Sequence, residues 1–313
     1  MTDSPPGPMG CVLDPVATNE TIISLMMDGK SPVCSDNAEI RGAWSRAKAR
    51  GVVAVLLPRI QSKLFPNRKA DYQRRGTCVG RGTYRAAWLS YLAAIESRKL
   101  IGRPVVLAYE PIYAGSRVEI GGGRISGDGA VGAYAAKWLS LFGTTERVRI
   151  GQYDLSTDSP EGREDLAVSW GSRGAGVPPE VEAECLKHTF DAHIAKNVEE
   201  QMDLLACGFA GAFCRGRLNG KRDENGMARP AGSGAHCEAV VGVFIGANGE
   251  DALLMQQSWG DQPAGPSFLK IKGGDDYKLP QGCYGIYADD QSAVWQSFAE
   301  SWHFECPEGS QWR

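Results

Sequence analysis

The hydrophobic period of this 313-residue chain changes near residue 208, and that change constrains the fold more than any other feature. Before it, apolar residues recur at helical spacing, as in "CVGRGTYRAAWLSYLAAIESRK" with Tyr84, Trp88 and Leu92. After it, short β-prone runs alternate with turn sequences such as "DENG" and "ANGED". Helices followed by antiparallel strands are typical of an α+β fold, which we expect here in two lobes.

The pattern predicts individual elements. Four helices are expected: one from Cys78, one from near Asp128 to Gly143, one over Pro179 to His188, and one over 197–208 with Gly208 at its end. The predicted strands are 209–218, 236–245, 251–259, 267–273 and 283–288.

Three segments follow from composition. Residues 1–40 are rich in Pro, Gly, Ser and Asn and predict an extended N-terminal arm. Residues 41–290 form the compact domain, with a helical lobe at about 76–165 and a β-rich lobe at about 166–290. Residues 291–313 form an aromatic tail, with Trp295, Phe298 and Trp302 on one face of a predicted helix. Both ends are candidate sites of protein assembly.

Several classes of protein are disfavoured. The longest apolar run, "GVVAVLLP", is too short to cross a membrane, and the start "MTDSPPGPMG" lacks the features of a signal peptide. Nine cysteines without paired spacing indicate reduced thiols, and the absence of CxxC and HxxxH pairs argues against a zinc site. We expect no metal or cofactor, and a location in the cytoplasm or in a virus particle.

A basic block extends from Arg41 to Arg85, with twelve Lys or Arg residues and one acid, Asp71. Such a block could face nucleic acid or an acidic protein. A solvated face is the favoured interpretation, because the aromatic residues in the block show no pattern for stacking on bases.

Cys78 is the candidate nucleophile. It follows a Gly-Thr turn and begins a predicted helix, and four arginines lie within seven residues of it, at positions 74, 75, 81 and 85. A helix N-terminus and nearby cations both favour the thiolate, so a lowered thiol pKa is expected. A buried structural role describes most of the other cysteines, and only its placement distinguishes Cys78.

His236 is the candidate general base. Histidine titrates near neutral pH, which suits proton transfer. His188 and His193 lie in or beside a predicted helix and His303 lies in the tail, whereas His236 opens an apolar strand. For any one of these histidines taken alone, the default interpretation is a core residue whose ring nitrogens are hydrogen-bonded.

Taken together, these residues resemble the papain-like cysteine peptidases. The matching motifs, in the family's order, are Cys78 in "RRGTCVG", His236 with Gly242 six residues later, "QSWG" at 257–260, "PSFLKIKGG" and "GCYGIYADD". The resemblance spans residues 41 to 290, and "GVPPEVEAECLKHTF" looks particularly like papain-like proteins encoded in phage and bacterial genomes.

The resemblance implies a two-lobe fold, with the cysteine on the helical lobe and the histidine on the antiparallel β lobe. It implies that Cys78 attacks an acyl carbonyl and that His236 protonates the leaving amine. It further implies that Gln257 orients the imidazole while Trp259 shields that hydrogen bond from water. The backbone N–H of Cys78 would be one oxyanion donor.

Two supporting positions depart from the family pattern. Gln257 stands where the family has Asn, which displaces the amide by about one bond length. The oxyanion Gln normally lies six residues before the cysteine, where this chain has Tyr72, and Gln73 is one position late. Either Gln73 reaches the site through a shift of its loop, or the Tyr72 hydroxyl substitutes for it, or the oxyanion hole has only one of its two donors. Arg75 replaces the family's disulfide cysteine, in keeping with reduced thiols.

Two functions remain open. The first is a thiol hydrolase that cleaves peptide bonds in a protein or peptide substrate. The second is a catalytically weak or inactive papain-like domain that serves as an assembly component, for example in a phage particle. The arm over residues 1–40 fits either a pro-segment or a partner-binding element.

Overall fold

The computed structural model describes residues 9–157, 159–295 and 299–307. Its helices are α1 Pro15–Met27, α2 Ala43–Ala49, α3 Pro58–Leu64, α4 Cys78–Glu96, α5 Glu110–Gly115, α6 Gly132–Leu141, α7 Glu164–Trp170, α8 Pro179–Cys185, α9 Val198–Ala206 and α10 Ala288–Trp295. A π-helical turn, Ser116–Ile120, continues α5, and a 3₁₀ turn spans Cys34–Asp36.

The strands are β1 Cys11–Val12, β2 Ala54–Leu56, β3 Ala130–Val131, β4 Arg149–Ile150, β5 Tyr153–Asp154, β6 Asp191–Ala195, β7 Gly211–Arg222, β8 Ala228–Ile245, β9 Asp251–Gln256, β10 Phe268–Leu269, β11 Tyr277–Lys278, β12 Cys283–Tyr287 and β13 Ala299–Glu305. An antiparallel sheet has the order β12-β9-β8-β7-β13-β6, and β2 also pairs with β8. The α+β prediction is confirmed, and the turns "DENG" and "ANGED" connect β7 to β8 and β8 to β9.

Helix α4 lies at the centre of the fold. Every residue from Cys78 to Leu92 is buried, because the helix packs against the sheet on one side and against α3, α5 and α6 on the others. Two glycines allow the close approach. A Cβ at Gly80 would lie 2.6 Å from the Cβ of Tyr113, and one at Gly82 would lie 3.0 Å from the Sγ of Cys237. The start of α4 is therefore fixed against β8.

The N-terminal segment differs from the prediction of an extended arm. Residues 15–27 form α1, whose first turn is capped by the side chain of Asp14. Ala17 and Leu25 belong to the main core, and the Thr18 hydroxyl donates to Glu300 at 2.6 Å. The turn-forming composition of this segment predicts an extended arm, because only a few of its residues contact the core. Residues 1–8 of the predicted arm lie outside the described residues.

The predicted aromatic tail helix is also wrong in part. The chain is helical over α10 but then forms β13, which lies inside the sheet between β7 and β6. Trp302 is fully buried in that strand and hence does not share a helical face with Trp295. Alternating burial in a strand and periodic burial in a helix are hard to distinguish over so short a run. Phe298 lies outside the described residues.

The boundary between the predicted lobes lies later than expected. Helices α7 and α8, assigned to the β-rich lobe, pack against α5 and so belong to the helical side. Apart from β2, the strands of the main sheet begin with β6. Within the described residues, none of the helices combines the length and the apolar character that crossing a bilayer requires.

Three of the twelve basic residues in the block are used inside the fold. Arg68, Arg81 and Arg85 are buried, and Arg85 pairs with Asp71 at 2.5 Å. Arg81 donates to the carbonyls of Pro160 and Glu161. These side chains are therefore not a solvated face, and they cannot contact phosphates; a nucleic-acid interface over the rest of the block stays a prediction.

Candidate active site

A single carboxylate holds the loop that leads into α4. Glu164 accepts from the N–H groups of Arg74 at 3.0 Å and Arg75 at 3.3 Å and from the Thr77 hydroxyl at 2.7 Å. The guanidinium of Arg81 lies 3.5 Å from the same carboxylate. Since Glu164 begins α7, the helical side fixes the position at which Cys78 enters its helix.

Replacing this carboxylate should loosen the loop. We expect Glu164→Ala to lower the free energy of unfolding by about 3 kcal/mol, because it leaves two N–H groups and one hydroxyl without their acceptor. Glu164→Gln keeps the Oε1 acceptor and should cost about 1 kcal/mol. Urea unfolding measures both, and an equal loss in the two variants would contradict this role for the carboxylate.

The thiol of Cys78 lies at the junction of the helical side and the sheet. It is buried, and the backbone N–H groups of Cys237, Gly10 and Val79 hydrogen-bond to it. Burial nevertheless raises the pKa of the thiol to about 12. The expectation of a lowered pKa is therefore wrong for this state of the protein, because desolvation outweighs the helix N-terminus and the nearby arginines.

Residues 9–13, which we call the N-terminal strap, cover this thiol. β1 pairs in parallel with β3, and the carbonyl of Gly10 accepts from the N–H of Ala130 at 2.8 Å. Gly10 approaches the backbone of Gly76 so closely that a Cβ on Gly10 would lie 1.9 Å from the Gly76 carbonyl oxygen. The strap thus lies on the loop that immediately precedes Cys78.

The other side of the strap contacts the long β7–β8 hairpin. The Sδ of Met9 lies against Gly234, and the Cδ1 of Leu13 lies 3.6 Å from where a Cβ on Gly216 would be. The strap therefore bridges the helical side and the sheet directly above Cys78. A substrate carbonyl cannot reach the thiol while the strap occupies this position.

His236 lies on β8, next to the residue whose N–H binds the Cys78 thiol. Its ring is buried and stacks on Trp259, with centroids 3.9 Å apart and planes inclined by 13°. Neither ring nitrogen has a hydrogen-bond partner among the described residues. Burial lowers the pKa of His236 to about 4, so the imidazole is neutral at pH 7 and no thiolate–imidazolium pair exists in this state.

The neutral state of His236 predicts a dependence of stability on pH. A group with a depressed folded-state pKa stabilises the fold above its unfolded pKa, about 6.5, and that stability is lost as pH falls through about 4. Between pH 7 and pH 5 the loss from this group is about 2 kcal/mol.

The variant His236→Phe keeps a ring against Trp259 and breaks no hydrogen bond between described residues. It should therefore lose less stability than the wild type between pH 7 and pH 5. Urea unfolding at the two pH values measures the difference, and identical losses would contradict the lowered pKa. Gly274→Ala, where an added Cβ meets nothing within 4 Å, serves as a control and should lose as much stability as the wild type.

Gln257 binds its own turn and not the imidazole. Its Nε2 donates to the carbonyls of Gly260 at 3.3 Å and Gln262 at 2.6 Å, and its Oε1 accepts from the N–H of Trp259. The expected hydrogen bond to His236 is not formed in this state. Gln257 instead fixes Trp259, which in turn contacts the imidazole.

Gln73 and Tyr72 occupy different environments. Gln73 is buried, its Oε1 accepts from the Ser258 hydroxyl at 2.5 Å, and its Nε2 donates to the carbonyl of Arg75 at 3.1 Å. Tyr72 is 41% exposed, and its ring lies against Gly260. Gln73 thereby links the loop before Cys78 to the "QSWG" turn, whereas Tyr72 lies on the outer side of that turn.

A buried charged cluster, not predicted from the sequence, lies beside His236. Glu238, two residues further along the same strand face, pairs with Arg215 and accepts from the hydroxyl of Tyr284. Burial by itself raises the pKa of Glu238, but Arg215 holds it below its usual value. A glutamate within the apolar run "HCEAVVGVFI" was the available signal, since such a residue is rarely buried without a partner.

A cavity of about 430 Å³ opens next to this cluster. It lies between the β7–β8 hairpin and the segment after the "QSWG" turn, and its lining includes Leu218, Lys221, Ser233, Glu238, Gln257 and Trp259. The cavity therefore adjoins the indole on which His236 is stacked. Among the described residues, no group of three or more His, Cys, Asp or Glu side chains is arranged to hold a metal ion.

No protein-family model and no curated protein matches the sequence. Solved structures do match the fold. Xylellain, a cysteine protease from Xylella fastidiosa, is 13% identical over 82% of this chain and 88% of its own, with a TM-score of 0.53. Bromelain from Ananas comosus (9% identity, 82% and 100% coverage, TM-score 0.47) and procathepsin B from Trypanosoma congolense (9%, 82% and 78%, 0.48) are also similar.

The similarity to xylellain, with its TM-score of 0.53, is the one that supports the assignment of the fold. It extends over 82% of this chain. The chain therefore has the two-lobe α+β fold of the papain-like cysteine proteases.

Proposed function

We propose that this protein is a thiol hydrolase that cleaves peptide bonds and that the described state is its latent form. The observation that carries the proposal is the position of the Cys78 thiol at the start of α4, hydrogen-bonded to the N–H of Cys237. Cys237 directly follows His236, whose imidazole has no hydrogen-bond partner among the described residues. A buried imidazole with two unpaired nitrogens is costly, and a partner for one of them would be the thiol once the strap has moved.

Displacement of the strap would activate the pair. Desolvation is the main cause of both pKa shifts, so exposure should return the pKa of Cys78 and that of His236 towards their ordinary values, about 8.5 and 6.5. Proton transfer from the thiol to the imidazole is then unfavourable by about two pKa units, which attraction between the two resulting charges offsets. The transfer yields the ion pair that attacks a carbonyl.

The reaction would proceed in two halves. The Cys78 thiolate forms a bond to the carbonyl carbon, and the oxyanion accepts from the N–H of Cys78, which as the first residue of a helix has no intrahelical partner. His236 gives its proton to the leaving amine as the C–N bond breaks. Neutral His236 then removes a proton from water, and the resulting attack releases the acid and the thiol.

The experiment is hydrolysis of a quenched fluorescent peptide library by the full chain under reducing conditions, with cleavage sites read by mass spectrometry. Gly10→Ala, which should displace the strap, is compared with the wild type and with Gly10→Ala/Cys78→Ala. Cleavage by the first that is absent in the last supports the proposal. No cleavage by a Gly10→Ala protein whose Cys78 is demonstrably reactive would overturn it.

A non-enzymatic role is the second candidate. It is favoured by the amide of Gln257, which binds its own turn and leaves the imidazole unoriented. In that case the papain-like domain would serve as an assembly component, for example of a phage particle. An inert Cys78 thiol even after displacement of the strap would support this alternative.

A further inference from the structure

We propose that Cys11 and Cys214 are a reversible oxidation site, at which a disulfide locks the N-terminal strap over Cys78. The disulfide itself is independent of the proposed function, whereas its effect on hydrolysis rests on that function.

Cys11, Cys214 and Cys237 belong to one buried cluster of the core. The thiol of Cys11 is hydrogen-bonded to that of Cys214, which is in turn hydrogen-bonded to that of Cys237. Cys214 and Cys237 are directly opposite each other in the register of β7 and β8. All three cysteines are free. Since a disulfide requires sulfurs on adjacent, facing side chains, contact between two thiols is the geometry from which it forms.

Several backbone contacts hold Cys11 in place against Cys214. Cys11 pairs with Ala130 in β3, and Gly132, two residues later, begins α6. A Cβ on Gly132 would lie 2.7 Å from the Sγ of Cys214, so the start of α6 packs directly on that thiol. The same short strand that places the strap over Cys78 therefore also places Cys11 at Cys214.

Access favours Cys11 as the point of entry for an oxidant. Its exposed fraction is 8%, against 0% for Cys214 and 1% for Cys237. The hydrogen bond to Cys214 and burial both raise the pKa of Cys11, so its thiol is protonated while the strap is closed. Reaction should begin when the strap opens transiently and Cys11 regains an ordinary thiol pKa.

The oxidant is a low-molecular-weight disulfide, RSSR. The Cys11 thiolate attacks one of its sulfurs, a Cys11–SR bond forms and RS⁻ leaves. Cys214 then attacks the Cys11 sulfur and displaces the second RS⁻, so that both thiolates leave as RSH with the protons of the two cysteines. Two protein thiols are oxidised to one disulfide, and one RSSR is reduced to two RSH.

The disulfide would join the strap to β7 across the position that a substrate must occupy. In the reduced protein the strap is held by backbone pairing over two residues and by packing, which a substrate or an alkaline pH can disrupt. In the oxidised protein it is held covalently. Cys78 itself takes no part in the bond, so reduction restores the site.

The experiment uses the full chain with oxidised glutathione as the probe. Peptide mass spectrometry identifies the disulfide, with fragment ions separating Cys214 from Cys207 in the same tryptic peptide. The rate of Cys78 labelling by iodoacetamide at pH 9 is measured before oxidation, after it, and after dithiothreitol. We expect a Cys11–Cys214 bond and at least a tenfold fall in labelling that dithiothreitol reverses.

Two variants make the result specific. Cys11→Ser should abolish the protection of Cys78, whereas Cys34→Ser, a matched buried thiol distant from the strap, should leave it intact. Four outcomes would each contradict the proposed Cys11–Cys214 disulfide. They are a Cys214–Cys237 bond, a disulfide that includes Cys78, glutathione left on Cys11, and no oxidation.

Measuring peptide hydrolysis before and after oxidation distinguishes failure of the disulfide proposal from failure of the proposed function. If peptide cleavage occurs but is unchanged by oxidation, control by the Cys11–Cys214 disulfide is contradicted and the proposed function stands. If the disulfide forms and protects Cys78 in a protein that never cleaves peptides, the disulfide proposal stands and the proposed function is contradicted.

Discussion

Gly10→Ala is expected to raise the rate of Cys78 alkylation at pH 8 by at least tenfold and by up to about 10³-fold. The added Cβ would lie 1.9 Å from the Gly76 carbonyl oxygen, and neither backbone can give way without moving the strap. With a pKa of about 12 only ~10⁻⁴ of the thiol is ionised at pH 8, whereas an ordinary exposed thiol is ionised to about 0.2. Iodoacetamide labelling, followed by mass spectrometry of the peptide 76–81, measures the change.

The control is Gly274→Ala, since a Cβ at Gly274 meets nothing within 4 Å. It should label at the wild-type rate. The wild type should also label faster as pH rises. The raised pKa of Cys78 stabilises the closed strap below the ordinary thiol pKa, and this stabilisation is lost as pH rises from there towards about 12. Equal labelling of all three proteins from pH 6 to 10 would show that the strap does not control access.

In the Gly10→Ala background, Cys78→Ala should abolish peptide hydrolysis, and His236→Ala should lower kcat/KM by about 10³-fold or more. The first variant removes the nucleophile and the second removes the only proposed proton donor to the leaving amine. The loss from His236→Ala should appear in kcat, because the imidazole acts in the transition state and not in substrate binding. Steady-state hydrolysis of a cleaved library peptide gives both parameters.

Cys185→Ala provides the matched control, because Cys185 is equally buried but lies on α8 away from the strap and Cys78. Its kcat/KM should stay within a fewfold of the Gly10→Ala parent. Retention of activity in the His236→Ala variant would assign the proton transfer to another group, and retention in the Cys78→Ala variant would assign the nucleophile elsewhere.

The local chemistry of the sequence was sufficient to predict elements that are bounded by turn-forming residues. The helix at Cys78 and the strand run from His236 to Ile245 follow from hydrophobic period and from Gly, Asn and Asp at the turns. The order of five short motifs was sufficient for the fold. These features depend only on residues that are neighbours in the sequence, and they can therefore be predicted from it.

The strand β13 could not be predicted in this way. Its buried positions include Glu300, Ser301 and His303, so its sequence shows neither the apolar alternation of a strand nor the apolar period of a helix. The apolar pattern of α1 fails to indicate a helix for the opposite reason. The helix presents only a few residues to the core, and exposed apolar residues such as Ile23 and Met27 blur its pattern.

The sequence by itself determined which side chains could perform the chemistry: a cysteine at a helix start, a histidine at the head of a strand, and a glutamine and tryptophan after a turn. Only the tertiary structure decided their state. The strap buries Cys78, which moves its pKa in the direction opposite to that favoured by the helix and the arginines. The desolvation of an ionisable group depends on what covers it, and here the cover comes from residues more than sixty positions away in the chain.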